Sequence, residues 1–477
     1  MKGQEKEEYM DQSFRDSIGT IDDDGKRKWI FPKKPKGNYY NARTWVSLGL
    51  LAVLFSGPFL RIGGQPLLMI NILERKFIVF GQVFWPQDFY IFVLVMLSGV
   101  LFIVLFTVVF GRLFCGWVCP QTIFMEMVFR KIEYWIDGDF KHQKRLKDAP
   151  WNAEKIRKRV LKHGIFFAIS FLIANTFLAY IIGSDELIKT ITDNPLNHIT
   201  GLVSILIFTG VFYWVFSWFR EQVCLVACPY GRLQGVMLDR NSIVVAYDYI
   251  RGEVRGRFKK TEDRAEAGKG DCIDCHQCVD VCPTGIDIRN GTQLECVNCT
   301  ACIDACDHMM ESVGLPKGLI RYDSEEGIVN KSKKIFSVRT IGYSIVLVLL
   351  LGLVSFLLVN RTDVDATILK TPGQQYQKRE NNLVSNLYNY KIINKTFDSI
   401  PGEIKPIGIE GVIEYIGGKT FVIPSESIAE GSFFLIVNME ELSERKSIIY
   451  LGVYDENGEL LDKVKTSFLA PLKRKKK

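Results

Sequence analysis

Five long apolar runs divide the chain of 477 residues. They are residues 44–60, 89–110, 165–182, 199–219 and 341–359. Each run approaches the roughly 20 residues that an α-helix needs to cross a hydrocarbon core about 30 Å thick. The pattern therefore predicts five membrane-spanning helices, of which the first is the shortest and contains Pro58.

After the fifth run the pattern changes to short alternating segments. SNLYNYKIINKT, GVIEYIGGKTFVI and SFFLIVNME are separated by turn residues, and no cysteine occurs among them. Alternation of this kind predicts a β-rich domain over residues 382–477. Residues 361–381 are polar and contain a Pro-Gly pair, so we expect them to form a linker.

The polar connections differ in their content of lysine and arginine. Residues 1–43 carry ten and residues 112–163 carry twelve, whereas residues 61–88 carry three. Because basic connections stay on the cytoplasmic side, the N-terminal segment, the loop 112–163 and the segment 220–338 are predicted to be cytoplasmic. The tail after the fifth run is then outside, although its last residues, KRKKK, are basic. The first 43 residues are polar, so no cleavable signal peptide is expected.

Composition favours a protein with both membrane and water-exposed parts, because 48% of the residues are hydrophobic. The net charge of +7 lies largely beside the apolar runs. We attribute it to topology and expect no nucleic-acid partner. Eight of the twelve cysteines fall between Cys272 and Cys306, and the other four form two pairs at the ends of apolar runs. Such clustering favours metal binding over a disulfide framework.

Two cysteine runs, CIDCHQCVDVCP at 272–283 and CVNCTACIDAC at 296–306, carry the clearest chemical signal. Both have the spacing C-x2-C-x2-C-x3-C, which is typical of bacterial ferredoxins with two [4Fe–4S] clusters. In that arrangement the fourth cysteine of each run ligates the other cluster. We therefore predict a ferredoxin domain over residues 265–312 that transfers single electrons. The predicted ligands are Cys272, Cys275, Cys278 and Cys306 for cluster 1 and Cys282, Cys296, Cys299 and Cys302 for cluster 2.

Two zinc ions are the alternative for these runs, since closely spaced cysteine pairs also bind zinc. Three cysteines at successive i+3 positions, followed by a fourth, suit a cubane better than a tetrahedral ion. Pro283 follows the first run as in ferredoxins, whereas Asp307 replaces the proline of the second run and is expected to loosen one turn. His276 and His308 are expected to face solvent or to form hydrogen bonds, because the cysteine count is complete.

Two further stretches, GRLFCGWVCPQT at 111–122 and CLVACPYGRL at 224–233, repeat the pattern C-x3-C-P near the end of an apolar run. The i, i+4 spacing places both thiols of a pair on one helix face if the helix continues that far, and the proline then ends or kinks the helix. The candidate metal ligands are Cys115, Cys119, Cys224 and Cys228. Four such thiolates would suit Cu(I), zinc or another iron–sulfur centre. The alternative is that they are small apolar side chains without a chemical role.

Three arginines lie beside these pairs. Arg112 precedes the first pair, and Arg220 and Arg232 flank the second. Long basic side chains at the end of a membrane span commonly bury their stems and keep their charge in the interface. We therefore interpret all three as interfacial anchors.

Taken together, the motifs resemble the FixG/CcoG/RdxA family of cytochrome c oxidase accessory proteins, which are membrane-bound ferredoxin-like proteins. The resemblance rests on both C-x3-C-P stretches, on AYDYIRGEVRG at 246–256, on the double ferredoxin run and on the C-terminal segment. It implies a C-terminal immunoglobulin-like β-sandwich and a role in assembling a cbb-type haem–copper oxidase by reducing Cu(II) to Cu(I). On this resemblance the two clusters relay electrons, and Cys115, Cys119, Cys224 and Cys228 are candidate copper ligands.

The predicted fold class is a multi-domain membrane protein. It has an α-helical transmembrane bundle over residues 44–219 and 339–360, an inserted two-cluster ferredoxin, and the C-terminal immunoglobulin-like sandwich. We expect a multi-pass protein of the bacterial inner membrane, with the ferredoxin cytoplasmic and the sandwich periplasmic.

The implied partners are the lipid bilayer, the oxidase subunits or a copper chaperone or transporter, and a cytoplasmic electron donor; a homo-oligomer is left open. The sequence contains no C-x-x-C-H and no flavin or nucleotide fingerprint, so the donor is expected to be a protein or a small reductant. Two alternatives stand beside the cupric reductase. One is a quinol-oxidising ferredoxin subunit that feeds a reductase, and the other is a non-catalytic assembly scaffold.

Overall fold

The computed structural model describes residues 20–471 with short gaps, which are residues 22–23, 25, 63–64, 72–75, 80–81, 85–87, 195–197, 261, 332–336, 397, 418–420, 426 and 443. The chain forms two compact units. The first contains Met1–Leu60 and Leu94–Leu351, and the second contains Arg61–Val93 and Gly352–Lys477. Residues 1–19 of the predicted N-terminal segment and the basic run at 473–477 lie outside the described residues.

Helices dominate the first unit. The α-helices, numbered along the chain, are α1 (Asn38–Ser56), α2 (Phe89–Phe110), α3 (Leu113–Trp117), α4 (Pro120–Thr122), α5 (Arg130–Ile136), α6 (Phe140–Asp148), α7 (Ala153–Ile182), α8 (Ser184–Thr192), α9 (Ile199–Trp214), α10 (Pro229–Met237), α11 (Tyr249–Gly252), α12 (Gln277–Asp280), α13 (Ala301–Ser312), α14 (Glu325–Asn330) and α15 (Val338–Val359). Three π-helical segments, Ile123–Phe129, Val215–Phe219 and Val223–Ala227, and a 3-10 turn, Ile288–Asn290, complete the helical elements of the described residues.

Four helices are long and apolar enough to cross a membrane among the residues that the structure describes. They are Phe89–Phe110, Ala153–Ile182, Ile199–Phe219 and Val338–Val359. In the last of these only 11% of the apolar window is buried within the protein. A surface so apolar would be costly to expose to water, so it fits contact with lipid. Four of the five predicted spans are thereby confirmed.

The first predicted span, residues 44–60, is the exception. It overlaps α1, which is helical but is not among the four candidate spans. The first turns of α1 hold asparagine and tyrosine side chains and Arg43, so only its second half is continuously apolar. Arg43 is buried and donates from Nε to the carbonyl of Gly116 at 2.7 Å. The start of this helix therefore packs against protein.

The third span begins earlier than the apolar run 165–182 predicted. Helix α7 starts at Ala153, because the side chain of Asn152 accepts a hydrogen bond from the Lys155 amide and caps the helix. Its first three turns carry several basic residues, and the apolar part follows them in the same unbroken helix. The helix thus joins the basic connection to the membrane span.

Strands occur mainly in the second unit. The strands of the described residues are β1 (Arg61–Ile62), β2 (Gln65–Pro66), β3 (Leu68–Asn71), β4 (Lys76–Val79), β5 (Gln82–Phe84), β6 (Val244–Tyr247), β7 (Ile320–Asp323), β8 (Val364–Lys370), β9 (Gln377–Lys378), β10 (Leu383–Asn394), β11 (Ile400–Ile407), β12 (Gly411–Tyr415), β13 (Phe421–Ile423), β14 (Ile428–Asn438), β15 (Lys446–Tyr454) and β16 (Leu460–Leu469).

Two antiparallel sheets form the C-terminal sandwich. One has the strand order β12-β14-β10-β8, with β9 paired to β10, and the other has the order β13-β11-β15-β16. Tyr388 on β10 lies opposite Phe433 on β14, and both are fully buried with their rings stacked 5.6 Å apart. Alternating inward residues of both sheets fill the core between them. The predicted immunoglobulin-like sandwich is confirmed.

The expected linker at 361–381 is wrong in part. Strand β8 lies within it and pairs with β10 along the edge of the first sheet. Its burial alternates, with Val364, Ala366 and Ile368 facing the core, so the segment VDATILK is a regular strand. Only the turn that contains Pro372 and Gly373 matches the loop that the Pro-Gly pair indicated. The sandwich begins before residue 382.

A small sheet from the connection 61–88 also belongs to the second unit. Strands β3, β4 and β5 form an antiparallel meander. The buried carboxylate of Asp88 at its end pairs with Arg361 at 2.7 Å and with Lys395 at 2.8 Å. Since a buried carboxylate is stable only when it is paired, these contacts tie the connection to the start of the sandwich.

Candidate metal centres

The ferredoxin-like region of the first unit is organised by two short loops and two helices. Strands β6 and β7 pair antiparallel beside the loops, although both lie outside the predicted bounds of 265–312. Their residues Val245 and Ile320 share one buried core with Cys272, Cys278 and Cys306. The loops that carry the thiols are thus held by a sheet contributed from the two ends of the region.

Neighbouring thiols act on one another across the two cysteine runs. Burial raises the pKa of the Cys306 thiol, and the nearby Cys278, Cys272 and Cys275 of the first run raise it further. Burial likewise raises the pKa of Cys302, with further contributions from Cys299, Cys296, Cys282 and Cys278. Cys306, the last cysteine of the second run, therefore lies beside the first run, and Cys282 lies beside the second. This placement agrees with the crossed ligands predicted for a two-cluster ferredoxin.

An enclosed cavity lies between the runs. It is lined by Cys278, Cys282, Cys296, Cys299 and Cys302, with Val245, Pro283, Ile286, Ile288 and Val297 among the apolar residues around them. A space walled by thiols and otherwise apolar fits a soft, anionic cluster. The residues present therefore fit the second [4Fe–4S] cluster.

The backbone around the second cysteine of each run repeats one unusual conformation. Asp274 and His276 flank Cys275 with φ of 51° and 55°, and Asn298 and Thr300 flank Cys299 with φ of 52° and 64°. Left-handed residues alternating with right-handed ones turn successive amide N–H groups toward one point and bind anions such as iron–sulfur clusters. Sequence reasoning missed this feature, and the aspartate and asparagine before the second cysteine were its only local signal.

The thiols are buried enough to favour their neutral form. Burial raises the pKa of Cys296 to about 12 and that of Cys299 to about 11. Ligation requires thiolates, so a bound cation must displace these protons. Folding of the loops and loading with iron are therefore coupled in this region.

A single metal ion fits these thiols poorly. Within the described part of the chain, no three histidine, cysteine or acidic side chains are grouped closely enough to hold one ion. A tetrahedral zinc ion, with Zn–S of about 2.3 Å, would bring its sulfurs within about 4 Å of one another. A cubane spreads its ligands around a larger body. The C-x2-C-x2-C-x3-C spacing of the two runs favours the cluster over the zinc alternative.

The two histidines behave as expected, whereas Asp307 does not. His276 and His308 are exposed, and Nδ1 of His276 lies 3.1 Å from the guanidinium of Arg289. Asp307 does not loosen a turn, because α13 continues through it to Ser312. Its carboxylate accepts a hydrogen bond of 2.8 Å from the amide of Gly318 and so holds the chain after the helix.

The membrane-edge pairs do not lie on continuous helix faces, contrary to the i, i+4 prediction. Cys115 belongs to the short helix α3, whereas Cys119 has extended backbone with φ −60° and ψ 122° and precedes Pro120. Cys228 is also extended, with φ −75° and ψ 112°, and precedes the proline that begins α10. In each pair the first thiol sits in a helical turn and the second sits at the start of the next helix, because proline is suited to the first helical position.

Contacts across the two pairs bring the four thiols together. The amide Nε2 of Gln234, on α10, lies 3.3 Å from Sγ of Cys115. Thr122, on α4, lines one cavity together with Cys224. Burial raises the pKa of Cys115 to about 11, and the thiols of Cys119 and Cys228 lie close enough to raise it further. The four cysteines form one group, which we call the membrane-edge cysteines.

Arg112 joins this group to the ferredoxin-like region. Its guanidinium donates to the carbonyls of Leu294 and, at 3.3 Å, of Cys296, and also at 2.6 Å to the carbonyl of Gly231. Helix α3 packs so tightly here that a Cβ on Gly116 would lie 2.5 Å from the carbonyl oxygen of Val297. The interpretation of Arg112 as an interfacial anchor is wrong, since its side chain is buried between two backbone segments.

Arg220 is also buried, in a cluster of charged groups beside the second pair. It donates two hydrogen bonds to Glu133, at 2.8 and 2.7 Å, and Lys162 lies 3.6 Å from the same carboxylate. Burial would raise the pKa of Glu133, but Arg220 holds it at about 2. The sequence carries no local signal for this cluster, because its members lie on separate elements. Of the three arginines, only Arg232 is exposed as an anchor would be.

Three family models match the chain. A 4Fe-4S dicluster domain matches residues 219–325, a 4Fe-4S binding domain matches residues 92–142, and an Ig-like fold at the C-terminus of FixG matches residues 354–471. With the four apolar helices and the two sets of thiols, these matches define the class: a membrane protein that transfers electrons through iron–sulfur clusters.

Relatives narrow the class to a family. RdxA of Cereibacter sphaeroides is 37% identical over 301 residues, which are 61% of this chain and 62% of RdxA. RdxB of the same organism is 34% identical over 387 residues, 78% of this chain and 80% of RdxB. The nitrogen fixation protein FixG of Rhizobium meliloti is 40% identical over 306 residues, 62% of this chain and 57% of FixG. The chain belongs to the FixG/RdxA family.

The coverage of these relatives is uneven. The matched part of this chain spans less than two thirds of RdxA and of FixG, but four fifths of RdxB. Among solved structures, a FixG-related protein from Vibrio parahaemolyticus matches 24% of this chain and 100% of its own, with 18% identity and a TM-score of 0.20. That likeness is too weak to assign a fold.

Proposed function

We propose that this chain reduces Cu(II) to Cu(I) for the assembly of a cbb-type cytochrome c oxidase. The observation that carries the proposal is the direct packing of the ferredoxin-like loops on the segments that hold the membrane-edge cysteines. Soft thiolates prefer Cu(I) to the harder Cu(II), so a thiol-lined site at the end of an electron path suits this reduction. The oxidase itself is implied by the family resemblance.

Backbone contacts make the path short. Gly116, next to Cys115, lies so close to the second cysteine run that an added Cβ would meet the carbonyl oxygens of Val297 and Asn298 at 2.5 and 2.6 Å. A cavity beside Cys224 is also lined by Pro283 and Val297, which directly follow two predicted ligands of cluster 2. When bound, the [4Fe–4S] clusters supply reversible one-electron transfer. Each Cu(II) accepts one electron to become Cu(I), and a cytoplasmic donor returns one electron for each copper ion.

We also propose that the first unit presents the ferredoxin-like region to the cytoplasm of a bacterial inner membrane. Three segments predicted on that side contact one another. Arg27 pairs with Glu221 at 2.9 Å, and Lys33 donates to Gln277 at 2.7 Å. The backbone amide of Lys34 lies 3.2 Å from the carboxylate of Asp139. In the second unit, the pairing of Asp88 with Arg361 supports a common, periplasmic side for the connection 61–88 and the sandwich.

Protease accessibility tests this sidedness. In intact spheroplasts, we expect external protease to digest the chain beyond residue 380 and to spare the cytoplasmic cysteine runs. Digestion of the tail only after lysis would contradict the proposed orientation.

A second candidate, quinol oxidation, draws on the cavity beside Cys224. Glu126 and Glu221 line it together with Arg220. Oxidation of a quinol releases two electrons and two protons, and buried carboxylates are suitable proton acceptors. In this candidate, electrons pass from the quinol through the membrane-edge cysteines to the ferredoxin-like region, whereas in copper reduction they pass from the ferredoxin-like region to Cu(II).

Rapid mixing separates the candidates. The full chain is purified without oxygen, reduced, freed of excess reductant and mixed with Cu(II) and a Cu(I)-specific chelator. We expect one Cu(I) for each electron stored, with a rate at least tenfold lower in the double variant Cys119→Ala/Cys228→Ala. Arg232→Gln, at an exposed position of the same region, is the matched control and should leave the rate unchanged.

Three outcomes would count against copper reduction. Equal rates in the wild type and the double variant would mean that the membrane-edge cysteines take no part. Reduction of the oxidised protein by a short-chain quinol, without Cu(I) formation in the copper experiment, would favour the second candidate. If the protein neither reduced Cu(II) nor oxidised the quinol, a non-catalytic assembly scaffold would be the function that remains.

A further inference from the structure

The membrane-edge cysteines are built as two copies of one local motif. In each copy a helical turn holds the first thiol, and an extended residue holds the second thiol just before a helix that begins with proline. Cys119 and Cys228 are thus the N-cap residues of the helices that follow them, α4 and α10.

The two copies interlock around one space. Gln234, from the helix after Cys228, contacts the thiol of Cys115 at 3.3 Å. Thr122, from the helix after Cys119, lines one cavity together with Cys224. The helix that follows each pair therefore lies beside the other pair. This exchange gives four converging sulfurs from two distant parts of the sequence.

A single metal ion and an iron–sulfur cluster require different distances between the sulfurs of their ligands. Over the described residues, no three cysteine, histidine or acidic side chains are close enough to share one metal ion. A single Cu(I) or zinc ion bound by three or four thiolates needs sulfurs within about 4 Å of one another, given metal–sulfur bonds of about 2.3 Å. A [4Fe–4S] cluster takes its four thiolates at separate iron corners, so it accepts a more widely spaced set of sulfurs than a single ion does.

The family match at residues 92–142 supplies an independent observation. It is a match to a 4Fe-4S binding domain. The matched stretch contains only two cysteines, Cys115 and Cys119, which are half of the ligands that a [4Fe–4S] cluster takes. The structure places the second motif against the first, because Gln234 contacts the thiol of Cys115 and the carbonyl of Gly231 accepts a hydrogen bond from Arg112. Cys224 and Cys228 of that motif supply the other half.

The charge around the site is of the right sign. A cluster held by four thiolates is an anion, and the buried guanidinium of Arg112 lies close enough to act on the thiol of Cys115. Arg112 is held there by the carbonyls of Gly231 and Cys296. Its positive charge would therefore stabilise the loaded site.

We infer that Cys115, Cys119, Cys224 and Cys228 together hold a third [4Fe–4S] cluster, placed between the two clusters of the ferredoxin-like region and Cu(II). The inference rests on the proposed electron transfer, and it makes these four thiols ligands of an electron carrier instead of direct ligands of copper. Copper is then the substrate that meets this site from outside.

Iron content tests the inference directly. The full chain, prepared without oxygen, should carry about twelve iron and twelve sulfide atoms, and native mass spectrometry should show the mass of three clusters. Cys115→Ala/Cys228→Ala should carry about eight of each, with the spectrum of the two ferredoxin clusters retained. Arg232→Gln, the matched control, should keep all twelve.

Other results would overturn it. A wild-type mass that corresponds to two clusters, with or without one copper ion, is incompatible with a third cluster and does not depend on any variant folding. Equal iron content in the double variant and the wild type is incompatible as well. Twelve iron atoms in a protein that fails to reduce Cu(II) would leave the third cluster in place and reject only the proposed copper reaction.

Discussion

The eight thiols of the ferredoxin-like region and the four membrane-edge cysteines are assembled in different ways. The first eight come from two short runs, and their grouping follows from local spacing and from loops with left-handed residues. The four come from two motifs whose contacts join positions 119 residues apart, as between Cys115 and Gln234. The first site is specified by its own segment, whereas the second depends on how helices pack. A change far from the second site should therefore disturb it without disturbing the first.

The largest expected effect is the loss of a ligand from the locally specified site. Cys302→Ala should lower the iron content by at least about four atoms per chain, because a [4Fe–4S] cluster is lost when one of its thiolates is removed. Metal analysis of anaerobic protein measures this. Ser312→Ala, at an exposed position on the same helix, is the control. Unchanged iron in Cys302→Ala would remove Cys302 from the ligand set.

A substitution remote from any cysteine should affect only the membrane-edge site. Glu133→Gln leaves the buried Arg220 and Lys162 without their shared carboxylate and should lower the free energy of unfolding by roughly 3–5 kcal/mol. Because Arg220 lies four residues before Cys224, at the break between two helical segments, the second cysteine pair should be displaced. Thermal unfolding in detergent and the iron spectrum measure both effects.

The matched control for this change is Glu154→Gln. Glu154 pairs with Lys158 at 2.7 Å on an exposed helix face, and its loss should change neither stability nor spectrum. An equal loss of unfolding free energy in Glu133→Gln and Glu154→Gln would show that the buried ion pair of Glu133 with Arg220 stabilises the fold no more than an exposed pair does.

The same ion cluster predicts a pH dependence. The folded protein holds the pKa of Glu133 at about 2, below its ordinary value of 4.5. The carboxylate therefore contributes its full stability above pH 4.5 and loses it as the pH falls from there through 2. The stability difference between wild type and Glu133→Gln should be constant from pH 6 to 8 and should shrink below about pH 4.5. A difference that already shrinks at pH 6 would contradict the assigned pairing.

A smaller effect is expected where the two sites meet. Arg112→Gln removes a guanidinium from the carbonyls of Gly231 and Cys296, and unpaired buried carbonyls cost roughly 1–3 kcal/mol. Reoxidation of the reduced protein by Cu(II) should slow several-fold while all clusters are retained. Arg232→Gln should behave as wild type. Reoxidation of Arg112→Gln by Cu(II) at the wild-type rate would mean that the contacts of Arg112 play no part in electron transfer.

The smallest effect concerns the backbone of the locally specified site. Thr300 is β-branched and has φ 64°, a conformation that costs roughly 1–2 kcal/mol in a residue with a Cβ and is freely adopted by glycine. Thr300→Gly should therefore be more stable than Thr300→Val by about that amount, since valine keeps the strain. Denaturant unfolding of the loaded protein measures the difference. A more stable valine variant would mean that packing outweighs the backbone conformation here.

Much of the ferredoxin-like site follows from the sequence, because its ligands lie within one segment and the C-x2-C spacing is tied to the cluster that it holds. The four long membrane spans follow for a similar reason, since uninterrupted apolar helices need no partner to be recognised. The helix α1 is not among the candidate spans, because its first half carries polar side chains and only its second half matches the predicted apolar run.

Other features could not be derived from local pattern. The backbone at Cys119 and Cys228 is extended because a new helix begins at the proline that follows each of them. From the sequence alone, the helix before each proline could equally have continued through the second cysteine of the pair. Arg112 and Arg220 were assigned to the interface because sequence shows their position in the chain but not the carbonyls and carboxylates that come from other segments. Strand β8 alternates apolar and polar residues within a stretch that is polar on average and contains a Pro-Gly turn. The average composition of the stretch therefore indicated a linker.

The contact between Arg112 and the carbonyl of Cys296 also has a consequence for biosynthesis. The two residues are 184 positions apart. At about 5–20 residues per second, the ribosome needs roughly 10–40 seconds to make the partner of an arginine already at the membrane surface. Cys224 and Cys228 are also made within this interval, so all four thiols of the group precede the segment that packs against them and must stay reduced. The contact between the membrane-edge site and the ferredoxin-like region is therefore a late event, which can form only after translation has passed Cys296.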